Sequence, residues 1–458
     1  MIITGTRTID LRTETSAQKL GRDRVHRNPD PDYSAAILIL ETDSGVQGIS
    51  EIFTLGGGNR WLCDMMKELA EATVVGMDIN DFRDHRGTWW QKLAEHPHLR
   101  WHGQSGMYRE IVGGIINALW DLDAKDKGLP MCGLLESLSP DEIVASVFWR
   151  PIKDKLTRER ALELLQESAR HRPTLSGVDA YLTRGWAGMD HGLLRSGLRE
   201  ALSAGLDAAK MKVHDTTDED FEVYRIIREI MGDESLVMTD ANQFFSAPDA
   251  VDYVRELKAR GINFHWLEEM CHNDDIMAHV RLRDALAKIF DEEERPILVG
   301  GEHCGNFVMA KQFIYSGAYG AFQIDSTRVA GVNEVIAIML MAMDMGIPVC
   351  PHGGGIGLCN KIVHYGFFDQ TVISPQGMLL ARAREKRPGV PESKLRRLVE
   401  YLDFLQSEAF VHPIQVANGK YQRPTAPGWG IEMKEDFIAK HTYPYGTHWL
   451  DKNSGMIG

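Results

Sequence analysis

The sequence predicts an α/β chain whose larger part is a parallel β/α barrel, preceded by a smaller α+β domain. Three observations predict it. The 458 residues exceed one ordinary core and suit a barrel plus a further domain. From Leu206 to Gly354, short apolar runs recur with helix-length spacers between them. Each run carries or ends on a residue able to do chemistry, which is how parallel strands deliver side chains to one rim.

Composition narrows the function classes. Hydrophobic residues make up 43% and charged residues 25%, both ordinary for a soluble globular enzyme. The net charge of −14, from 65 acidic against 51 basic residues, argues against a nucleic-acid partner. It still allows an anionic substrate, because a bound metal reverses the local field. The six cysteines (Cys63, Cys132, Cys271, Cys304, Cys350 and Cys359) form no CxxC pair and read as free thiols of a reducing compartment. The first residues carry no basic n-region, and no apolar run reaches the length of a membrane span. A cytoplasmic location and no membrane partner are therefore expected.

Along the chain, Met1–Leu11 reads as a first strand, and Asp30-Pro31-Asp32 punctuates before a strong strand, Tyr33–Glu41. Thr42-Asp43-Ser44-Gly45 turns the chain into a hairpin partner, Val46–Phe53. Gly56-Gly57-Gly58 lacks the flanking residues of a phosphate cradle and reads as a turn before a helix. Trp61–Val75 and Met107–Lys127 have helical periodicity. Residues 1–140 are thus expected to form the α+β domain, 141–415 the barrel and 416–458 a Pro-, Gly- and Tyr-rich segment returning to the first domain. Ile143–Pro151 is expected to open the alternating pattern. Helices follow at Phe221–Ile230, Pro248–Arg260, Ile276–Ile289, Asn306–Ser316 and Val332–Met345, each before a chemistry-bearing strand. Arg382–Arg397, charged and proline-containing, reads as a solvated surface excursion.

The strand ends suggest a division of labour. Asp240, Glu268 and Glu302 lie about one βα unit apart, so three carboxylates converge if each ends a successive strand. Singly, each reads as a surface carboxylate; together they are the hard oxygen set that Mg²⁺ favours. Lys210 and Lys212 share one face of a strand, where mutual repulsion and a nearby metal would lower their pKa values and leave one neutral as a base. His352 precedes a glycine run, and Asp325 ends the preceding strand, placed to hold the imidazole tautomer. Asp325 also reads as a helix N-cap, since Ser326 and Thr327 follow it. Asn242 reads as a donor behind the metal or a plain loop polar, His303 as a substrate contact, and Trp186 as packing or recognition, with Tyr181 and Arg184 alongside it before the lysine strand.

These residues resemble the enolase superfamily, its mandelate racemase subgroup, and most closely the L-fuconate dehydratase-like sugar-acid dehydratases. The phrases that carry the resemblance run nearly end to end. They include Asp32-Tyr33-Ser34, Phe53-Thr54-Leu55-Gly56, Leu99-Arg100-Trp101, Asp240-Ala241-Asn242-Gln243, Gly301-Glu302-His303-Cys304, Gln323-Ile324-Asp325-Ser326 and Pro351-His352-Gly353-Gly354. The resemblance implies a modified (β/α)7β TIM-type barrel under an N-terminal α+β capping domain. It implies Mg²⁺ on Asp240, Glu268 and Glu302, Lys212 with its neighbour Lys210 as one acid/base, and the Asp325–His352 dyad as the other. It places Glu400 where such enzymes carry a further site carboxylate, and it implies a homo-oligomer.

The implied reaction is dehydration of an aldonic or aldaric acid to a 2-keto-3-deoxy acid through an enediolate, with Lys212 taking the C2 proton and His352 helping the C3 hydroxyl leave. Racemisation or epimerisation at C2 needs the same groups, and a non-catalytic acid-binding relic is a third reading. Three stretches depart from the family pattern: Gly21–His26, Leu182–Gly185 and Met270-Cys271-His272-Asn273. The cations in the first two (Arg22, Arg24, His26 and Arg184) suggest a substrate with a second anionic or polar end.

Overall fold

Alternating apolar residues and the Thr42–Gly45 turn build an antiparallel sheet in the order β1 (Ile3–Arg12), β2 (Ser34–Thr42), β3 (Gly48–Thr54). The computed structural model describes residues 1–15, 20–25 and 33–454, with side chains through 450. His26 and the Asp30–Asp32 punctuation lie outside the described residues. The helix Asn59–Thr73 starts behind the glycine turn, where Gly58 sits at φ 83°, a left-handed conformation that suits glycine. The helix Met107–Asp126 packs its nearly continuous apolar length between this sheet and the rest of the molecule.

The second sheet is the barrel. Its parallel strands follow one another in sequence and in space: β4 (Val178–Thr183), β5 (Ala208–Lys212), β6 (Leu236–Asp240), β7 (Trp266–Glu268), β8 (Ile297–Gly300) and β9 (Ala321–Phe322). The seventh position is the segment 347–350, joined to β9 through a single bridge, Phe322 to Val349. The eighth, β10 (Val399–Tyr401), pairs in parallel with β4 and closes the ring. Seven crossovers and a final bare strand give the (β/α)7β order. Side-chain caps start the crossover helices: Thr216, Ser246, Asp275 and Asn306 each accept a backbone N–H of the first turn after β5, β6, β7 and β8. A two-strand ribbon, β11 (Val416–Ala417) and β12 (Lys420–Tyr421), adds antiparallel to β4. Beyond it, Tyr443 N–H donates to the Asp10 carbonyl, seating the chain end on β1.

One apolar layer crosses the barrel interior, with one residue from each of the eight positions: Tyr181, Ala208, Met238, Trp266, Val299, Ala321, Cys350 and Leu398. It lies directly under the site, since Trp266 Nε1 donates to Glu268 and the Tyr181 ring lies 5.6 Å from Lys210 Nζ.

Two expectations need correction. Ile143–Pro151 does not open the β/α pattern; Pro140–Ala145 is a helix with a Ser139–Glu142 capping box, and the first barrel strand comes only at Val178. Arg382–Arg397 is a solvated excursion only in part: Arg384–Lys386, Pro388, Gly389, Glu392 and Ser393 are exposed, but both of its ends are buried. A helix, Gln376–Lys386, buries Met378, Leu379 and Ala383, and Arg382 donates to the Asp344 carbonyl at 2.7 Å. Arg397 pairs with Asp369 at 3.2 Å, 4% exposed on each side.

Candidate active site

Parallel register brings the predicted residues to one rim. Lys212 pairs with Asp240 across β5 and β6, and Asp240 with Glu268 across β6 and β7. Ligand oxygens of Asp240, Glu268 and Glu302 lie within 4.8 Å of one another, and all three residues are buried. Glu302 Oε2 is buried and accepts no hydrogen bond. Three converging buried carboxylates fit a hard dication such as Mg²⁺. Glu269, Glu302 and His303 form a second group of the same compactness.

The lysines are locked into this cluster. Lys212 Nζ donates to Asp240 Oδ2 at 2.5 Å. Lys210 Nζ, 1% exposed, lies 2.5 Å from Glu268, 3.0 Å from Glu400 and 3.5 Å from Asp240. The expected mutual suppression of the two ammoniums is outweighed here. Burial works against the charge of each, but the carboxylates hold both above the ordinary lysine range, led by Glu268 for Lys210 and Asp240 for Lys212. Asp240 is held low against its burial by Lys212 and Lys210, whereas burial, reinforced by Asp240, drives Glu268 well up. Four carboxylates (Asp240, Glu268, Glu302, Glu400) face two lysine ammoniums. A bound dication would balance that excess and release Lys212 from the charge that keeps it protonated.

His352 stands across the carboxylates from Lys212. Its Nδ1 meets Asp325 Oδ2 at 3.0 Å, and its Nε2 lies 3.2 Å from Glu302 Oε2. Asp325 does cap the following turn as well, its Oδ1 accepting from Thr327 N–H at 2.7 Å and the Thr327 hydroxyl at 2.8 Å. One carboxylate therefore fixes both the loop and the imidazole. Against burial, Glu302 and the Asp325 hydrogen bond push His352 up to about 9, while His352 and Arg328 hold Asp325 down to about 2 against its own burial.

A cavity of about 90 Å³ opens on this rim. Lys212, His352, Glu302, Asn242, His303 and Trp186 line it, as do Asp23, Tyr33, Phe53, Leu55 and Arg328. Trp186 Nε1 and Asn242 Oδ1 are buried without a hydrogen-bond partner, one a donor and one an acceptor. Four predicted site residues stand elsewhere. Lys210 and Glu400 lie beneath the cavity, with Glu400 accepting from the Thr183 hydroxyl and from Gly353 N–H at 2.8 Å. Burial opposes the Glu400 charge, yet Lys210 and His352 hold it at about 2. Arg184 is tied to Asp403 at 2.5 Å, and Arg24 lies 3.9 Å over the Phe244 ring; neither lines the cavity. Tyr33, Phe53 and Leu55, which received no role from the sequence, sit inside the phrases that carried the resemblance, so the signal for them was present. Asp23 lies in the Gly21–His26 stretch already singled out, though without a role of its own, and Arg328 had no comparable signal.

Comparisons with known proteins agree with this geometry. Residues 194–437 match the model of the enolase C-terminal domain-like family, and residues 26–136 that of the mandelate racemase/muconate lactonizing enzyme N-terminal domain. L-galactonate dehydratase of Hypocrea jecorina is 36% identical, over 99% of this chain and 97% of that protein. The crystal structure of human mitochondrial enolase superfamily member 1 superposes with a TM-score of 0.88 at 33% identity, over 98% of each chain. L-talarate dehydratase from Polaromonas sp. JS666, solved with Mg and L-glucarate, shares the fold at a TM-score of 0.68 and 21% identity, over 96% of each chain.

Proposed function

The chain belongs to the enolase superfamily, in its mandelate racemase/muconate lactonizing enzyme group, and on that premise we propose that it dehydrates an aldonic sugar acid to a 2-keto-3-deoxy acid. The observation that carries the reading is the placement of Lys212 and His352 in one cavity, on opposite sides of a buried carboxylate triad. Mg²⁺ held by Asp240, Glu268 and Glu302 would supply the positive charge that makes the C2 hydrogen acidic and tolerates the enediolate charge. Lys212 takes the C2 proton. Asp325 keeps the His352 Nδ1 proton in place, so Nε2 is the atom that delivers a proton to the departing C3 hydroxyl. Lys210 and Glu400 act from below, fixing the field around Lys212 and the loop that carries His352.

A single-carboxylate substrate is supported by what the arginines do. Arg184 and Arg24 are occupied outside the cavity, and Arg328, which does line it, donates to Glu110 at 2.9 Å. The wall presents Asp23 and apolar rings, which suit hydroxyls and carbon better than a second carboxylate. The match to an L-galactonate dehydratase supports the same choice.

The test is a panel of aldonic and aldaric acids, with and without Mg²⁺, assayed for 2-keto product. An aldonate should give product only with Mg²⁺. C2 exchange in D₂O without loss of water would replace dehydration by racemisation or epimerisation. No exchange with any acid, in protein shown to bind Mg²⁺, would leave a binding protein.

A further inference from the structure

A closed hydrogen-bonded ring of four residues, part side chain and part backbone, sits on the rim beside the triad. Gln243 Nε2 donates to Glu269 Oε2 at 3.1 Å, and Glu269 Oε2 meets His303 Nδ1 at 2.9 Å. Asn273 closes the ring from both sides: its Nδ2 donates to the His303 carbonyl at 2.8 Å, and its backbone N–H to Gln243 Oε1 at 2.9 Å. Asn273 belongs to the stretch Met270-Cys271-His272-Asn273, already set apart in the sequence. The backbone is strained to close the ring. Asn242, Gln243 and Glu269 adopt φ of 45°, 67° and 38°, left-handed values that non-glycine residues avoid. Such outliers persist where the surroundings over-determine them, often at functional sites.

What the ring holds is the His303 imidazole, on the wall of the cavity. With Nδ1 committed to Glu269, Nε2 is the polar atom left for a substrate oxygen. His303 is also the outermost of the polar groups around the triad. Its side chain is 39% exposed, against 9% for Lys212, 10% for His352 and 6% for Glu302. With the substrate carboxylate at the triad and C2 and C3 between the bases, the outermost group meets what lies beyond C3.

We propose that His303 is the residue that reads the hydroxylated tail of the substrate, and that Gln243, Glu269 and Asn273 are positioning residues that fix its ring for that contact. This rests on the proposed dehydration at the same site, and the ligand class that follows is an acid of four or more carbons bearing hydroxyls past C3.

The experiment compares a long and a short acid in the same proteins. C2 exchange and dehydration are followed with L-galactonate and with glycerate, which has no carbon past C3, in wild type, His303→Ala, His303→Gln and Asn273→Ala. Mg²⁺ affinity is read independently from the thermal shift. His303→Ala should raise KM for L-galactonate about tenfold or more and leave glycerate KM and Mg²⁺ affinity within about twofold. Asn273→Ala should raise the same KM by a smaller factor with kcat retained, and it serves if His303→Ala does not fold. Equal losses on both acids, or a weakened Mg²⁺ shift, would make His303 a support for Glu302 and overturn the inference. A wild-type protein inert to every six-carbon acid removes the dehydratase reading and this one with it; an active wild type with an unchanged long-to-short ratio in His303→Ala removes this one alone.

Discussion

The sharpest test of the site is Asp325→Asn. Thr327 donates to Asp325 Oδ1 twice, through its N–H and its hydroxyl. The asparagine oxygen must keep that place, which turns the amide NH₂ toward His352 Nδ1. A donor facing Nδ1 forces the ring proton onto Nε2 and removes the charge that steadies the imidazolium. At 3.0 Å, and with an effective dielectric near 20, the lost attraction is about 5 kcal/mol. Solvation lost by the buried pair offsets part of it, leaving about 3–5 kcal/mol, or roughly 10²–10⁴ in kcat. Lys212 does not touch Asp325, so proton removal at C2 survives. Dehydration should therefore fall by that factor while C2 exchange in D₂O continues and accumulates in unreacted substrate. A loss of less than tenfold, or an equal loss of exchange and dehydration, would refute the assignment of the two bases.

Further outcomes follow from other contacts. Mg²⁺ at a hundredfold over its Kd should stabilise by about 2.7 kcal/mol, close to 3 °C for a chain of this size at about 2.1 cal/mol/K per residue. Calorimetry with EDTA and with Glu268→Gln checks it, since a shift surviving that variant places the cation elsewhere. Arg184→Ala should leave KM within about twofold and lower Tm by about 1–3 °C; a tenfold rise in KM would return Arg184 to the substrate. Glu51 is buried 3.1 Å from Lys361, and burial pushes its carboxyl up to about 7, Lys361 only partly opposing. A carboxyl raised in the folded state favours folding below its unfolded pKa and loses that advantage as pH rises through the folded one. Wild type should therefore lose up to about 3 kcal/mol relative to Glu51→Gln between pH 4.5 and 7, read as a Tm difference that grows with pH. A flat difference would mean that Lys361 neutralises Glu51 throughout.

The barrel was legible because its strands end on chemistry. Leu236–Asp240 was read with its true ends, as were the helices Ile276–Ile289 and Val332–Met345. Ile347–His352 follows the path of a strand, with Cys350 and His352 N–H bonded to the carbonyls of Phe322 and Ile324. Pro348 and Pro351 have no N–H to give, which is why pairing shrinks to one bridge. β4 escaped notice because its chemistry is hidden: Thr183 and Tyr181 support the floor and Glu400 rather than the cavity. The arginines misled for a physical reason. A guanidinium announces a charge but not its partner, and the partner of Arg184 lies 219 residues away in Asp403. The run 382–397 misled likewise, because Arg382 and Arg397 spend their charge on Asp344 and Asp369 inside the molecule.

The eight-residue apolar layer has a consequence for isotopes. It fills the barrel interior with mostly apolar side chains below Lys210 and Glu268, while Lys212 and His352 line the cavity above. Lys212 and His352 both face the cavity that substrate would fill, and through it they trade protons with solvent. While that cavity is filled in D₂O, a proton lifted from C2 mixes only with the deuterons already on Lys212. Label taken from C2 should then return to C2 in the first turnover more often than free exchange predicts, and that internal return measures how well the filled cavity is sealed.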